Sequence, residues 1–339
     1  MGEKKEGILV SVVIPIRNEE KYIDQFLKSV LKQDFPQKNI ELIFIDGMSE
    51  DKTLDILKNY KKAYNFINIY TNCNKTVQYA LNIGIENASG DIIVRMDVHS
   101  EYSEDYISKC VEYLNKTDAQ NVGGPMIARG KIPIQKVVAA AYHSSFALGG
   151  GKFHEENFEG YADTVYLGAF KKETLLKLNM YDENLPRSED DDLNFRLLES
   201  GGKVFITPKI KSIYYPRSTY KDLFRQYYEY GFWKVAVIKK HRKPARITHL
   251  IPALFVLFIL FFGVLSCFSK PLRLFYLGVL SFYIFLNAYF SFRNKKVKSI
   301  KDKFRLMWVH FILHFAYGFG FVMGLFEFFI KRKILKRPS

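Results

Sequence analysis

The chain has 339 residues, a net charge of +15 and three cysteines without paired spacing. That cysteine usage argues against a disulfide scaffold or a zinc knuckle and is typical of a reducing compartment. The length is enough for one sizeable domain and a further region.

The N-terminal part alternates between strand and helix patterns. Strand-like apolar runs occupy 8–15, 40–45, 66–70 and 91–96, and helical patterns occupy 19–33, 51–62 and 75–88. This order predicts an α/β domain with a mostly parallel sheet that is covered on both faces. The first run is too short and too β-branched for a signal peptide, so we expect the domain to stay in the cytosol.

Polar side chains follow three of these strands. Arg17 and Glu19 come after the first, Asp46 after the second, and Asp97 and His99 after the fourth. Because the carboxyl ends of parallel strands meet at one edge, we expect these side chains to converge there. An aspartate and an imidazole can hold a divalent metal, although Asp-x-His also occurs in ordinary solvated turns.

The turn after the first strand reads PIRNEE, and the chain has neither G-x-G-x-x-G nor G-x-x-x-x-G-K-[ST]. A Rossmann dehydrogenase or a P-loop enzyme is therefore not expected. Asp46 can accept hydrogen bonds from a base or ribose, and a metal at Asp97 and His99 can neutralise a diphosphate. Lys75 could also reach that phosphate, but a lone lysine at a helix start is often simply solvated. A nucleotide with a metal-bridged diphosphate fits this edge.

A second acidic cluster lies at 188–192, where the sequence is SEDDD. One interpretation is a helix start, with Ser188 and Asp191 as a capping box. Four adjacent carboxylates exceed what a cap needs and repel one another, which favours a functional role. The two are compatible if Asp191 serves the cap and Asp190 points into the site.

Two segments between the acidic clusters leave alternatives open. HSSFALGGGKFH, at 143–154, is either a flexible surface loop or backbone that approaches the diphosphate. TVYLGAF, at 164–170, predicts a strand, either near an acceptor pocket or packed in the core.

Five ordered motifs resemble the family-2 glycosyltransferases of GT-A fold. They are VSVVIPIRNE (10–19), IDGMSEDKT (45–53), the N-x-G-I at 82–85, the DxD-like DVH (97–99) and SEDDDLNFRL (188–197). NKTVQYALN, LGGGKFH and FRQYYEYGFWK are similar to the branch that assembles succinoglycan-type exopolysaccharides, and so is the C-terminal membrane part.

This resemblance implies a nucleotide-sugar donor, commonly UDP-linked, and a divalent metal, Mn²⁺ or Mg²⁺. It implies Asp46 near the base, Asp97 near ribose and metal, and His99 where the family usually has a second aspartate. It also implies Asp190 as the base of an inverting transfer. The predicted donor contacts are Pro15, Arg17, Glu19, Asp46, Lys75 and Asp97.

A basic, aromatic segment precedes the membrane part. Between 203 and 246 there are twelve Lys or Arg against two acidic residues, which favours anionic lipid over nucleic acid as a partner. Polymerising synthases of the family carry Q-x-x-R-W here, whereas this chain has Gln226 and Trp233 without an Arg-Trp pair, so we expect transfer of a single sugar. Glu189, Arg225, Gln226 and Trp233 are predicted acceptor contacts. The alternative for this segment is an interfacial anchor without an acceptor role.

Three apolar stretches follow, at 247–267, 272–290 and 306–330. We therefore predict a cytosolic catalytic domain at 1–216, an interfacial segment at 217–246 and a membrane region at 247–339. The loop at 291–305 has seven basic residues and the tail at 331–339 has five. Since a third crossing would export that tail, the positive-inside rule slightly favours two spans plus a re-entrant or interfacial segment over three spans.

The sequence thus predicts a multi-pass enzyme of the cell membrane that adds one sugar to a polyprenyl-diphosphate-linked glycan. One alternative is a synthase that transfers a sugar to polyprenyl monophosphate. The other is a membrane scaffold or transport component that no longer turns over.

Overall fold

The computed structural model describes residues 9–148, 151–242 and 247–331, which form two compact units. The N-terminal unit contains residues up to Ile127 and then Lys152–Tyr214. Among the described residues, the C-terminal unit contains 128–148, Gly151 and those that follow from Tyr215. Residues 128–148 lie inside the predicted catalytic segment 1–216 but are grouped with the helices that follow Tyr215. The predicted domain bounds stay a prediction.

The N-terminal unit has an eight-stranded sheet in the order β3-β2-β1-β4-β9-β6-β10-β8 and a three-stranded sheet in the order β5-β11-β7. The strands are β1 (Val10–Ile16), β2 (Ile40–Asp46), β3 (Ile67–Thr71), β4 (Ile92–Arg95), β5 (Ser100–Tyr102), β6 (Asn121–Gly124), β7 (Ile127–Ala128), β8 (Gly160–Ala162), β9 (Tyr166–Lys171), β10 (Val204–Ile206) and β11 (Ser212–Tyr214). Its helices are α1 (Ile23–Val30), α2 (Thr53–Ala63), α3 (Val77–Asn87), α4 (Tyr106–Lys116), α7 (Lys172–Lys177) and α8 (Glu189–Glu199).

The predicted βαβ order is confirmed for β1 to β4, which run parallel. β9 then enters the same sheet antiparallel to both β4 and β6. Residues 167–170 of β9 are buried, so most of the TVYLGAF segment is core.

Alternating side chains of β1 pack on opposite faces of the sheet. Val12 and Ile14 belong to the core beneath α1, α2 and α4, whereas Val13 belongs to the core beneath α3 and α8. Helix α3 lies so close to β1 that a Cβ at Gly84 would be 2.4 Å from Val13 Cγ1. This glycine is the third residue of the N-x-G-I motif, and its role is close helix–strand packing.

The C-terminal unit is helical within the described residues. Its helices are α5 (Pro133–Tyr142), α6 (Ser145–Leu148), α9 (Tyr220–His241), α10 (Ile251–Leu265), α11 (Lys270–Arg293) and α12 (Ile300–Leu325). α12 is central, since α5, α6, α9, α10 and α11 all pack against it.

Three helical segments are long and apolar enough to cross a membrane: Ile247–Leu265, Lys270–Arg293 and Ile300–Ile330. α12 runs unbroken from Ile300 to Leu325, so the described residues contain no turn at which the third segment could re-enter. Whether it crosses the bilayer or lies at its surface stays a prediction.

Candidate active site

The loops that follow β1 and β2 are held together by reciprocal hydrogen bonds. Asn18 N–H donates to Ser49 Oγ at 2.9 Å, and Glu50 N–H donates to Asn18 Oδ1 at 2.8 Å. Glu19 N–H donates to Thr53 Oγ1 at 2.6 Å. Asn18 has a positive φ of 57°, which its short polar side chain tolerates. The two loops therefore form one preorganised edge.

Asp46 lies at the carboxyl end of β2 and is buried. Its carboxylate accepts the Ser49 Oγ–H at 2.5 Å and the Ser49 N–H at 3.2 Å. The Asp46 carbonyl accepts the Asn72 N–H at 2.8 Å, and the same turn holds Lys75 at a φ of 62°. A lysine in this conformation is uncommon, which indicates that the turn is constrained by its surroundings.

Glu19 and His99 connect the loop after β1 with the loop after β4. His99 Nε2 is 2.9 Å from Glu19 Oε1, and Tyr22 contacts the imidazole edge-on. Glu19 Oε2 is buried and has no hydrogen-bond partner among the described residues. Because His99 Nε2 faces Glu19, a metal at that nitrogen would have to displace this contact. The metal role of His99 therefore stays a prediction, and the geometry does not favour it.

Arg95, at the end of β4, joins the two acidic motifs. Its Nη1 donates to both carboxylate oxygens of Asp190 at 2.8 Å and lies 3.4 Å from Glu189 Oε1. Its Nε donates to Asp97 Oδ1 at 3.3 Å. One guanidinium thus faces three carboxylates, and the start of α8 is brought next to the edge that carries Asp97.

The negative charges of this cluster outnumber its positive charge, since three carboxylates face one guanidinium. Loss of hydration and the charge of Asp190 raise the pKa of Glu189 to about 7, against the opposing effect of Arg95. Loss of hydration also raises the pKa of Asp190, and Arg95 again opposes it. Burial alone would lower the pKa of Arg95, but Asp190 and Asp97 outweigh it and keep the guanidinium charged. Carboxyl groups with raised pKa values in a cleft are candidates for proton transfer.

Two buried polar contacts hold the chain that leads into α8. Asn82 on α3 exchanges two hydrogen bonds with the backbone of Tyr181, each 2.9 Å long. Arg196 on α8 binds Asp192 at 2.9 Å and donates to the carbonyl of Met180 at 2.7 Å. These contacts fix the segment on either side of the acidic run.

The predicted capping box at Ser188 is wrong. Ser188 has a φ of 61° and its side chain accepts no capping hydrogen bond within the described part of the chain, although its carbonyl accepts the Asp192 N–H at 3.1 Å. The left-handed conformation of Ser188 turns the following acidic residues, and Asp190 reaches Arg95.

The carboxylates at this edge fit a divalent metal that is shared with a diphosphate. The side chain of Asp97 is 31% exposed, with Oδ1 on Arg95. Among the described residues, no three His, Cys, Asp or Glu side chains converge as a complete ligand set. Mg²⁺-type sites commonly use one or two carboxylates together with phosphate oxygens and water. Asp97 suits that arrangement, with negative charge in excess around it.

The other predicted contacts are spread over both units. Pro15 lies in β1 and Arg17 is exposed just after it. Arg225, Gln226 and Trp233 all lie on α9 of the C-terminal unit: Arg225 pairs with Asp222 at 3.1 Å, Gln226 Nε2 donates to Tyr230 OH at 3.0 Å, and Trp233 packs on Phe328. Their acceptor roles, like that of Glu189, stay predictions. Gly149 and Gly150 of the triple glycine, and 243–246 of the basic segment, lie outside the described residues.

Sequence reasoning missed Arg95 and the clamping role of Asn82. Arg95 interrupts the apolar run DIIVRM at a position that the sheet buries, and a charge inside a strand pattern is a signal for a buried partner. That signal names no partner, because Glu189 and Asp190 are more than ninety residues away.

Residues 11–171 match the family described as glycosyl transferase family 2. The chain is 32% identical over 238 residues to dolichyl N-acetyl-α-D-glucosaminyl phosphate 3-β-D-2,3-diacetamido-2,3-dideoxy-β-D-glucuronosyltransferase of Methanococcus voltae, over 68% of this chain and 74% of that protein. It is 28% identical over 243 residues to the succinoglycan biosynthesis protein ExoA of Rhizobium meliloti, over 71% and 73% of the two chains.

A solved structure shows the same fold. The mannosyltransferase PcManGT of Pyrobaculum calidifontis, in complex with GDP-Man and Mn²⁺, has a TM-score of 0.60 at 14% identity, over 95% of this chain and 88% of its own. The predicted GT-A fold class is confirmed, and so is the prediction of an enzyme. The chain belongs to the family-2 glycosyltransferases.

Proposed function

We propose that this enzyme transfers one sugar from a nucleotide-diphosphate sugar, UDP-linked, to a saccharide carried on polyprenyl diphosphate. The observation that carries the proposal is the bridge from Asp97 through Arg95 to Asp190. A single arginine side chain therefore connects Asp97, in the motif expected to hold the donor, with Asp190, in the motif expected to activate the acceptor.

Asp190 is the proposed base. Its side chain is 40% exposed, so an acceptor hydroxyl can approach it, while Arg95 holds its carboxylate. Asp190 would take the proton as the hydroxyl oxygen attacks the anomeric carbon and the nucleoside diphosphate leaves. A positioned base contributes ~10² to 10⁴-fold to such a step. Attack opposite the leaving group inverts the anomeric centre, so an α-linked donor yields a β-linked product.

Asp46 and Asp97 are the proposed donor contacts with the clearest geometry. Asp46 is buried at the β2 end, where its oxygens can accept from base or ribose. Asp97 would hold Mn²⁺ or Mg²⁺, and the ion would stabilise the charge of the departing diphosphate as a Lewis acid. Pro15, Arg17 and Glu19 lie at or just after the end of β1, and Lys75 lies between β3 and α3.

A lipid-linked acceptor is supported by the relatives and by the helices. The Methanococcus voltae relative is named for transfer to a dolichyl-phosphate-linked N-acetylglucosamine, an acceptor that already carries a sugar. Three helical segments long enough to cross a bilayer would place the enzyme at the membrane where such lipids reside. This favours a saccharide acceptor over bare polyprenyl monophosphate. The basic loop at 291–305 supports a catalytic unit on the cytoplasmic side.

The test uses the purified full chain in lipid nanodiscs. UDP- and GDP-sugars are supplied with a polyprenyl-diphosphate-linked saccharide or with polyprenyl monophosphate, and nucleoside diphosphate release and product anomer are measured. We expect release with a UDP-sugar only when the saccharide acceptor is present, and a β-linked product. Release that depends on polyprenyl monophosphate alone, or on a GDP-sugar alone, would contradict the acceptor or the donor assignment.

Two variants test the residue roles. Asp190→Asn should abolish transfer and leave nucleotide binding nearly intact, and turnover above a tenth of wild type would rule it out as the base. Asp191→Asn, which changes the adjacent carboxylate, is the matched control and should keep most of the turnover. Asp97→Asn should weaken Mn²⁺-dependent binding of the nucleotide in calorimetry, and an unaltered affinity would count against the metal role.

A further inference from the structure

Arg95 is about as enclosed as Glu189, and both are far less exposed than the two other carboxylates that the guanidinium faces. The Arg95 side chain is 9% exposed, compared with 40% for Asp190 and 31% for Asp97. An arginine is seldom buried to this degree unless it is paired, because desolvation of its charge is costly. Here three carboxylates face the guanidinium, which joins β4 to the first turn of α8.

We propose that Arg95 is a positioning residue that holds the Asp190 carboxylate in its reactive place relative to the donor edge at Asp97. The inference rests on the proposed function, in which Asp190 is the base. Arg95 Nη1 lies at 2.8 Å from each Asp190 oxygen, so it sits between them and restricts rotation of the carboxylate. The same guanidinium reaches Asp97 through Nε, which sets the distance between the two acidic motifs.

The shape of the guanidinium matters as well as its charge. Nε and Nη1 are fixed in one plane, and each is directed at a different acidic motif. A lysine ammonium is a point charge on a flexible stem and cannot keep both directions at once. Misplacement of a reacting group by about 1 Å can reduce a rate by about 10²-fold. Substitution of Arg95 by lysine therefore separates charge from geometry.

The secondary-structure elements that carry Arg95 and Asp190 are themselves held in place by further contacts. β4 lies between β1 and β9 in the main sheet, so the backbone of Arg95 is in the rigid centre of the unit. Asp190 lies in the first turn of α8. The segment that leads into this helix is fixed by the hydrogen bonds of Asn82 and Arg196 to its backbone. Both ends of the Arg95–Asp190 pair are thus on fixed elements, as an accurate catalytic geometry requires.

The charges around Asp190 predict how the pKa of its carboxyl group changes when Arg95 is replaced. The groups that face it are Arg95, Glu189, Asp97, Asp191 and Tyr181. Arg95 is the cation that lowers the pKa of Asp190, whereas Asp97 and Asp191 raise it. Removing the positive charge should therefore shift the acidic limb of the kcat profile to higher pH.

The experiment compares Arg95→Lys and Arg95→Gln with Asp190→Asn in the full chain, with Arg305→Lys and Arg305→Gln as controls. Arg305 pairs locally with Asp302 at 2.7 Å and should leave turnover within about twofold of wild type. We expect Arg95→Lys to lower kcat by roughly 10-fold or more while donor KM changes less than about threefold, because charge persists without the fixed geometry. For Arg95→Gln we expect a larger loss and a shift of the acidic limb upward by about one pH unit.

The outcomes separate this inference from the proposed function. If Asp190→Asn keeps more than a tenth of the turnover, the base assignment is wrong and both proposals fall. If Asp190→Asn is inactive while both Arg95 variants keep kcat within about threefold and an unshifted acidic limb, only the positioning role is wrong. Thermal unfolding of each variant checks its fold. Failure of Arg95→Lys and Arg95→Gln to fold would assign Arg95 to the core and overturn the inference.

Discussion

Asn82 binds the backbone of Tyr181 in both directions. Its Nδ2 donates to the Tyr181 carbonyl and its Oδ1 accepts the Tyr181 N–H, each at 2.9 Å. The same Nδ2 lies 3.3 Å from Glu183 Oε1, and Gln78, one turn earlier on α3, donates to the Glu183 carbonyl at 2.9 Å. The buried Asn82 side chain therefore satisfies both backbone polar groups of Tyr181, as a neighbouring β-strand would, in the segment that leads to the acidic run.

Replacing Asn82 with alanine should destabilise the enzyme, because the N–H and carbonyl of Tyr181 lose their partner in a buried place. Each unsatisfied group costs roughly 1–3 kcal/mol. We expect a fall in Tm of several degrees together with reduced turnover, measured by thermal unfolding and by release of nucleoside diphosphate. Asn87→Ala is the matched control, since Asn87 lies exposed on the same helix and donates to the Ile83 carbonyl of that helix at 2.8 Å. Equal Tm values for the two variants would contradict the clamp.

The raised pKa of Glu189 predicts that the difference in Tm between wild type and Glu189→Gln depends on pH. With a pKa near 7 in the folded state and an ordinary one in the unfolded chain, the folded state binds the extra proton between about pH 4.5 and 7. Stability from this group is therefore present below pH 4.5 and is lost as pH rises through 7. Glu189→Gln should raise Tm relative to wild type at pH 8, and the difference should shrink towards pH 4.5. Glu173→Gln, which makes the same chemical change at an exposed position on α7, is the matched control. A Glu189→Gln difference that is constant across the range would argue against a raised pKa.

Glycines let α9 and α12 approach each other closely. A Cβ at Gly320 would be 2.0 Å from the Tyr228 carbonyl oxygen, and one at Gly231 would be 1.9 Å from the Tyr317 carbonyl oxygen. Gly320→Ala should therefore force the helices apart, lower the Tm in detergent and expose α9 to proteolysis. Gly278→Ala is the control, because a Cβ there meets nothing within 4 Å among the described residues. Protease resistance equal to that of the control would show that the helices tolerate separation.

A buried polar cluster joins α11 to α12. Asn287 Nδ2 donates to the Met307 carbonyl at 2.9 Å, and Asn287 Oδ1 lies 2.9 Å from His310 Nδ1. Hydrogen bonds between membrane helices contribute about 0.6–2 kcal/mol. Asn287→Leu should lower the Tm in nanodiscs, whereas Ser281→Leu, on the exposed side of α11, should be neutral or stabilising. An unchanged Tm for Asn287→Leu would mean that the cluster contributes no net stability.

The amino-acid pattern alone was sufficient for the parallel half of the sheet and for the family. β1 to β4 and helices α1 to α3 lie within a few residues of their predicted ranges, because apolar periodicity and turn residues are local signals. The polar residues after β1, β2 and β4 also lie at the shared edge, since parallel strands place their carboxyl ends together.

Only the tertiary structure decided how distant segments pair. The antiparallel entry of β9 between β4 and β6, and the packing of α5 and α6 against α12, involve partners far apart in the chain. The pairing of Glu19 with His99 and of Arg95 with Asp190 has the same origin. A local pattern shows that a side chain is buried or charged, but its partner is selected by long-range packing. For Arg95, burial in a central strand required a carboxylate within reach, and the position of α8 determined which one.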